Sequence, residues 1–234
     1  MNGKAYVAKR FWEIGDGPEK VSRQKNADNL VAEFKRIKQA AWFLSQFCER
    51  AKEIGVEIAQ AKEDPADLET SPASATAIEW DNAQPPFWLI EPLRSSSITR
   101  YNGTLVHAQL PGKIGQTILA FVHYVYLASK RDMVLADIQS ELNITGEFLF
   151  DIMTHTKSGL SGVGDHGKTG ITAFVRQHVC QDICKNLGFR NPMKKGTGNK
   201  GKGKKHVVED DSDESDSGGE DTDTSEEEVD QLDK

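Results

Sequence analysis

The side chains with the most distinctive chemistry are His178, Cys180 and Cys184, which form the pattern H-x-C-x3-C. On a helix, Cys180 and Cys184 lie one turn apart on the same face. Imidazole and thiolate groups are ligands that zinc prefers, so the pattern supplies three of the four ligands of a tetrahedral structural site. Two cysteines and a histidine at this spacing are equally compatible with ordinary buried side chains.

A fourth ligand has to come from another part of the chain, and His123 is the candidate. It lies in the apolar segment FVHYVY, which has the composition of a buried helix. A lone histidine on such a face is usually a hydrogen-bonded core residue. A zinc ion shared with the cysteines would explain it equally well, so the sequence predicts zinc without excluding a plain core.

A cluster of glycines precedes the H-x-C-x3-C pattern. Gly164, Gly167 and Gly170 lie in the second half of the small and polar run of residues 158–170, which opens a predicted helix. Backbone N–H groups at the start of a helix can cradle an anion. The same glycines are also compatible with a simple turn, and the sequence leaves both interpretations open.

Hydrophobic periodicity predicts the elements that position these residues. Apolar residues recur at spacings of three and four from Leu30 to Ala51, on one face of a helix that Gly55 would end. The polar segment 62–77 contains two prolines and is predicted to be a surface loop. We predict helices over 27–54, 114–129 and 168–189, and strands over 5–12, 87–90 and 133–138.

Charge is distributed unevenly along the chain. The net charge is −7, and residues 207–234 hold fourteen Asp and Glu against one Lys, or −13. Residues 194–206 hold six Lys, so residues 1–193 are electrically balanced. Such biased segments cannot bury enough apolar surface to fold. We therefore predict a folded domain over 1–190, a Lys/Gly-rich linker over 191–206 and a disordered acidic tail over 207–234.

The cysteine content and the hydropathy of the sequence indicate in which cellular compartment the protein resides. Three cysteines, an odd and sparse count, argue against a disulfide scaffold. The longest apolar stretch, residues 117–128, is interrupted by His123 and is too short to cross a bilayer. The first residues lack the apolar core of a signal peptide. These features predict an intracellular protein of the cytoplasm or nucleus without a membrane partner.

The segment 164–189, GDHGKTGITAFVRQHVCQDICKNLGF, resembles the C-terminal signature of the alpha-kinases. These are the atypical protein kinases of the myosin heavy-chain kinase and elongation-factor-two kinase type. Their fourth zinc ligand lies in a Phe-x-His-aromatic context, which His123 matches. The resemblance covers residues 5–189. It implies an α+β, two-lobed protein-kinase-like domain with an N-lobe over 1–90 and a zinc-stapled C-lobe over 91–190.

The resemblance also implies an ATP site. The segment Tyr6–Lys9 looks like the family's strand whose lysine, here Lys9, grips the ATP phosphates, with Glu33 as the implied partner of that lysine. The segment Phe87–Pro92 looks like the hinge, where Glu91 lies against the adenine. Taken alone, Lys9 is more typical of an exposed strand lysine and Glu33 of a solvated helix charge.

The residues of phosphoryl transfer follow from the same resemblance. Asp137 and Gln139 look like the family's Asp-Leu-Gln, in which the aspartate is catalytic and the glutamine helps to hold Mg²⁺. Asp151 looks like the second magnesium ligand, and oxygen ligands suit that ion. The implied reaction transfers the γ-phosphate of ATP to Ser or Thr of a protein substrate. Taken alone, these side chains are compatible with capping a strand end or with an ordinary loop carboxylate.

Several positions depart from the family pattern. Ser140 stands in place of a glycine, Ile152 in place of a proline, and residues 165–167 read Asp-His-Gly instead of Asn-Leu-Gly. The family's Asn-rich run after the hinge is reduced to Asn-Gly-Thr over 102–104. The family's earlier strands and glycine-bearing phosphate loop have no counterpart before Lys9. We therefore expect an incomplete N-lobe.

Two other functions remain open from the sequence. An inactive pseudokinase or truncated remnant would serve as a zinc-stabilised interaction module. A nucleic-acid-binding protein would use the Lys-Gly run of residues 194–205. The adjacent acidic segment competes for those lysines, which favours a spacer and makes a nucleic-acid partner the weaker alternative.

Overall fold

Helices are interspersed with runs of short strands along the part of the chain that the structure describes. The computed structural model describes residues 5–12, 21–59, 61–63, 67–70, 87–94, 98–107, 110–143 and 146–193, all within one unit that spans 1–196. The helices are α1 (Arg23–Glu53), α2 (Gly112–Ala128), α3 (Gly167–Gln177) and α4 (Asp182–Asn186). The strands are β1 (Tyr6–Lys9), β2 (Ala61–Glu63), β3 (Asp67–Thr70), β4 (Phe87–Pro92), β5 (Ile98–Arg100), β6 (Met133–Ala136), β7 (Gln139–Asn143), β8 (Gly146–Phe150) and β9 (Met153–Thr156).

The long helix α1 begins four residues earlier than its apolar pattern predicts. The Ser22 side chain caps its N-terminus by accepting a hydrogen bond from the Lys25 backbone N–H at 3.2 Å. After its last turn, Gly55 has φ +70°, a conformation that glycine adopts without strain and that commonly ends a helix. The helix therefore ends just before Gly55, as the sequence predicts.

The first sheet has the strand order β1-β4-β3 and is antiparallel throughout. The first half of α1 packs on it, because Leu30 and Ile37 meet Leu89 of β4 in one buried cluster. The second half of α1 packs on α2, where the rings of Phe47 and Phe121 are 5.5 Å apart. A single helix thus spans the sheet that carries Lys9 and the larger apolar core.

Two turns between strands carry the predicted acidic residues. Strands β2-β8-β7-β5 form a four-stranded sheet, and β6 pairs with β9. Asp137 lies between β6 and β7, and Asp151 between β8 and β9; both have left-handed backbones, with φ of 50° and 56°. Aspartate is one of the few non-glycine residues that tolerate this region.

The helix predicted over 168–189 is wrong as a single element. It is broken into α3 and α4, and His178 between them has an extended backbone with φ −68° and ψ 124°. Cys180 therefore precedes α4, while Cys184 lies within it. A continuous helix would point residues 178 and 180 to different sides, since positions two apart do not face each other. The break allows both side chains to turn toward α2.

The surface loop predicted over 62–77 is wrong for the residues described there. Residues 61–63 pair in parallel with β8, and residues 67–70 pair antiparallel with β4. Strands of three or four residues with polar composition carry no periodic signal, so only the partner strands define them. Residues 71–77, most of the predicted linker and the acidic tail lie outside the described residues. Among the described helices, none has the length and apolarity needed to traverse a bilayer.

Candidate active site and metal centre

Lys9 is the centre of a cluster of charged side chains. Its Nζ lies 2.5 Å from Glu91 Oε2, 3.5 Å from Asp151 Oδ1 and 3.8 Å from Glu33 Oε1. The pairing of β1 with β4 explains the shortest contact. Lys9 stands opposite Leu89, so Glu91 is its diagonal neighbour on the same face of the sheet, within reach of two long side chains.

Opposite charges in the cluster outweigh the effect of burial at Lys9 and offset it in part at Glu33. Burial lowers the pKa of Lys9, but the hydrogen bond and negative charge of Glu91 outweigh it, so that the pKa lies above its ordinary value. Burial also raises the pKa of Glu33, and the positive charge of Lys9 offsets this only in part. Lys9 is therefore a firmly held cation.

A cleft opens beside Lys9. It has a volume of about 540 Å³, which lies within the range of small-molecule sites. Its walls come from β1 and the residues after it, the first half of α1, strand β4 and the turn that carries Asp151. Its lining residues are Ala8, Lys9, Arg10, Phe11, Leu30, Glu33, Trp88 and Asp151.

Gln139 and Asp151 form a pair next to the lysine. In the β7–β8 ladder Gln139 stands opposite Phe150, which places it beside Asp151. Gln139 Nε2 donates a hydrogen bond to Asp151 Oδ2 at 2.7 Å. Asp151 thus contacts both Lys9 and Gln139, and the amide and carboxylate oxygens of this pair are of the type that Mg²⁺ prefers.

The Asp137 carboxylate is held by a residue that the sequence did not single out for a role. Thr104 Oγ1 donates a hydrogen bond to Asp137 Oδ2 at 2.6 Å. Asp137 itself is half-buried, at the end of the fully buried strand β6. The structure thus brings Lys9, Glu33, Glu91, Gln139 and Asp151 together in a connected set and holds Asp137 through a different contact.

Arg36 is a second residue that the sequence did not single out. It lies on α1, is 5% exposed, and its Nη1 donates to the Val163 carbonyl at 3.1 Å. A Cβ at Gly162, where φ is +129°, would come within 2.6 Å of that nitrogen, so the close approach requires glycine. Arg36 therefore ties α1 to the glycine-rich loop of residues 159–167.

The glycine-rich loop is organised by Asp165. The carboxylate accepts hydrogen bonds from the backbone N–H of Thr156, Ser161 and Gly167 and from the hydroxyls of Thr156 and Ser161. These backbone donors are already paired with a carboxylate of the protein. The structure thus favours the turn over an external-anion cradle at this loop.

Four soft side chains from two regions converge at the second candidate site. The ligand atoms of His123, His178, Cys180 and Cys184 all lie within 4.8 Å of one another. The Cys180 sulfur is 3.7 Å from His123 Nδ1 and 3.7 Å from His178 Nε2, and the Cys184 sulfur is 3.7 Å from His178 Nε2. Tetrahedral zinc with ordinary bond lengths separates nitrogen and sulfur ligands by about 3.6 Å. The donor set and its spacing therefore fit zinc.

The protonation states of this cluster are those of neutral ligands that a cation can recruit. Burial lowers the pKa of His123 to about 4, and burial with the nearby His123 lowers that of His178 to about 3. Burial and the neighbouring Cys180 raise the pKa of Cys184 to about 12. A dication at the centre would reverse the preference of the thiols by stabilising their thiolates.

The fold that carries these two sites is that of the alpha-kinase domain. The crystal structure of the apoenzyme alpha-kinase domain of myosin-II heavy chain kinase A matches with a TM-score of 0.57 at 23% identity, over 69% of this chain and 58% of that one. The domain of myosin heavy chain kinase A in complex with AMP matches with a TM-score of 0.56 at 23% identity, over 73% and 64%.

The chain belongs to the alpha-kinase family, which matches it over residues 1–184. Among curated proteins, myosin heavy chain kinase A of Dictyostelium discoideum is 33% identical over 104 residues, or 44% of this chain. The alpha-protein kinase vwkA of the same organism is 28% identical over 110 residues, or 47% of this chain. The matched parts amount to 8% and 17% of those two relatives.

Proposed function

We propose that this chain is an ATP-dependent protein kinase that transfers the γ-phosphate of ATP to Ser or Thr of a protein substrate. The observation that carries the proposal is the contact set of Lys9, which joins strand β1 to Glu91 of β4 and to Asp151 beside the cleft. Solved alpha-kinase domains of the same fold carry ATP or AMP, which supports nucleotide binding here.

In this proposal the site supplies charge and alignment. The Lys9 ammonium, fixed by Glu91 and Glu33, neutralises the inner phosphates. The side-chain oxygens of Asp151 and Gln139 would hold Mg²⁺, which offsets phosphate charge when bound. Glu91 therefore has a role beyond that of a hinge residue, because its side chain positions the lysine.

Asp137 is proposed as the catalytic base. Its carboxylate accepts the proton of the substrate hydroxyl as that oxygen forms a bond to the γ-phosphorus. The bond between the γ-phosphorus and the β–γ bridging oxygen breaks, its electron pair stays with ADP, and the phosphorylated side chain is released. The bonds that form and break belong only to ATP, the substrate hydroxyl and Asp137.

We further propose that His123, His178, Cys180 and Cys184 hold a structural zinc ion. The support is the convergence of four ligand atoms at tetrahedral spacing from α2 and from the segment that joins α3 to α4. Thiolate ligands require reduced cysteines, so the proposed compartment is the cytoplasm or nucleus.

A kinase assay with a matched acidic control tests the main proposal. Purified chain is incubated with magnesium and ATP labelled at the γ-phosphate, together with a protein acceptor rich in Ser and Thr. We expect the wild type to incorporate phosphate and Asp137→Ala to lose about 100-fold or more of the rate. Asp132→Ala removes an exposed carboxylate that pairs with Lys157 at 3.9 Å and should retain the rate.

Two results would contradict the kinase. Equal incorporation by the wild type and Asp137→Ala would show that a contaminating enzyme produces the signal. A folded, zinc-loaded wild type that neither binds ATP nor incorporates phosphate would favour the interaction module instead.

A further inference from the structure

Asn102 makes hydrogen bonds to the backbone before and after Asp137 in the turn that carries it. Asn102 Oδ1 accepts a hydrogen bond from the Ile138 backbone N–H at 2.8 Å, and Asn102 Nδ2 donates to the Leu135 carbonyl at 3.2 Å. Asn102 is itself buried, at 7% exposure. A left-handed backbone at a non-glycine residue persists only where its surroundings hold it, and this amide bonds to the backbone two residues before Asp137 and directly after it.

The carboxylate of Asp137 is oriented separately by Thr104, two residues further along the same segment. The hydroxyl of Thr104 can donate one hydrogen bond, and it donates this hydrogen bond to Asp137 Oδ2 at 2.6 Å. Hydrogen bonds to an ionised carboxylate are short and strong. The bond fixes rotation of the carboxylate and leaves its second oxygen, Oδ1, to meet a substrate hydroxyl.

Thr104 is in turn anchored by the buried His155. The His166 backbone N–H, which can only donate, points at His155 Nδ1 at 3.1 Å. Nδ1 is therefore the acceptor, and Nε2 carries the proton that it donates to the Thr104 carbonyl at 2.6 Å. His155 is completely buried, so this tautomer is shielded from competing water.

We propose that Thr104 is a positioning residue for Asp137, and that His155 holds Thr104 in register. This inference rests on the proposed kinase function. A catalytic base that is displaced by about 1 Å can lose about 100-fold in rate, because alignment with the acceptor hydroxyl is lost. These hydrogen bonds run from His166 through His155 and Thr104 to Asp137. They connect the start of α3 to the Asp137 carboxylate.

The test replaces the hydroxyl while keeping the shape. Thr104→Val keeps the shape of the side chain but removes the hydroxyl donor. Thr104→Ala also removes the donor and shortens the side chain, whereas Thr104→Ser retains the donor. In the kinase assay we expect Val and Ala to lower kcat about tenfold to a hundredfold while KM for ATP stays within about twofold. Thr104→Ser should recover most of kcat, which a packing role for the Thr104 methyl group would not produce.

A matched control separates positioning from general stability. Thr117 on α2 is buried. Its hydroxyl accepts a hydrogen bond from the Ala59 backbone N–H and donates one to the Lys113 carbonyl. Thr117→Val should lower the melting temperature without lowering kcat of the folded protein. Thr104→Val should show the opposite pattern.

The outcomes distinguish this inference from the proposed function. An active wild type with unchanged kcat in Thr104→Val and Thr104→Ala overturns the positioning role and leaves the kinase standing. Equal losses of kcat in the Ser and Ala variants also overturn it. If Thr104→Val fails to fold, the comparison of Ala with Ser decides. A wild type without activity overturns both proposals.

Discussion

Lys9 faces three carboxylates that differ in their exposure to solvent. The Glu91 side chain is 5% exposed, whereas that of Asp151 is 49% exposed. Three carboxylates around one ammonium leave an excess of negative charge, which favours a divalent cation at this site. Glu91 is therefore suited to hold the lysine, and the more exposed Asp151 to bind the proposed magnesium ion.

The resemblance pointed to Lys9, Glu91 and Asp151 through short motifs and to Glu33 by analogy, and the structure places these four side chains together. It did not find Thr104, since the hydroxyl acts on a residue 33 positions away. Arg36 was missed for the same reason: its carbonyl acceptors are more than 120 positions further along the chain. Contacts of this kind depend on the tertiary fold and leave no local signal.

At the level of single residues, Asp165→Asn should destabilise the protein by about 1–3 kcal/mol. Oδ1 faces the backbone N–H groups of Thr156 and Gly167, and Oδ2 faces that of Ser161. An asparagine amide must therefore point its NH₂ group at a backbone donor in either orientation. Urea unfolding of both proteins measures the difference in free energy of unfolding.

The difference in free energy of unfolding between the wild type and Asp165→Asn should be independent of pH between 7 and 5. Burial raises the pKa of Asp165, but hydrogen bonds from Thr156 and Ser161 outweigh it and lower the pKa to about 2. A lowered carboxyl pKa stabilises the fold above the ordinary value near 3.8, and the benefit is lost only as pH falls toward 2. Asp132→Asn, at an exposed site, should cost less than about 0.5 kcal/mol. A cost at Asp165 as small as this would refute the prediction.

At the level of elements, the long amphipathic segments were predicted within a few residues, and the short strands β1, β4 and β6 were predicted as well, whereas other short strands were not. The stripe from Leu30 to Ala51 predicted α1, and the apolar segment around His123 predicted α2. Strands β5, β7, β8 and β9 were not predicted, because elements of three to five residues are defined by their partners. The break at His178 was hidden by helix-forming residues on both sides of it.

Helix α3 depends on the absence of a side chain at Gly170. A Cβ there would lie 2.1 Å from Cγ of the His155 ring. Alanine favours a helix over glycine by about 1 kcal/mol, but overpacking costs about 1–3 kcal/mol. We expect Gly170→Ala to lower the free energy of unfolding by about 1 kcal/mol, measured by urea titration.

Thr172→Ala is the control for this helix, because residue 172 is exposed on α3 and its replacement improves helix propensity without a collision. It should leave stability unchanged or raise it slightly. A Gly170→Ala protein as stable as Thr172→Ala would show that the His155 ring relaxes freely, and that α3 does not fix its position.

At the scale of the whole molecule, the His-Cys cluster joins parts of the chain that are far apart in sequence. His123 belongs to α2, which packs on α1, and its ring is 4.5 Å from that of His178. The sulfur of Cys184 comes from α4, which packs in the same apolar core. The second ring nitrogens, His123 Nε2 and His178 Nδ1, are buried without a hydrogen-bond partner among the described residues. The other two ring nitrogens, His123 Nδ1 and His178 Nε2, lie beside the cysteine sulfurs, where the proposed zinc ion would bind them.

Removal of zinc should therefore unfold the C-terminal half of the domain. Structural zinc contributes about 10 kcal/mol or more to small domains, comparable to the whole stability of a typical domain. We expect one zinc per chain by elemental analysis, and a large loss of melting temperature with a strong chelator that added zinc reverses. Cys184→Ser should lose the metal, whereas Cys48→Ser, outside the cluster, should keep it. A purified protein without stoichiometric zinc, melting identically with and without chelator, would show that the four side chains form an ordinary buried core.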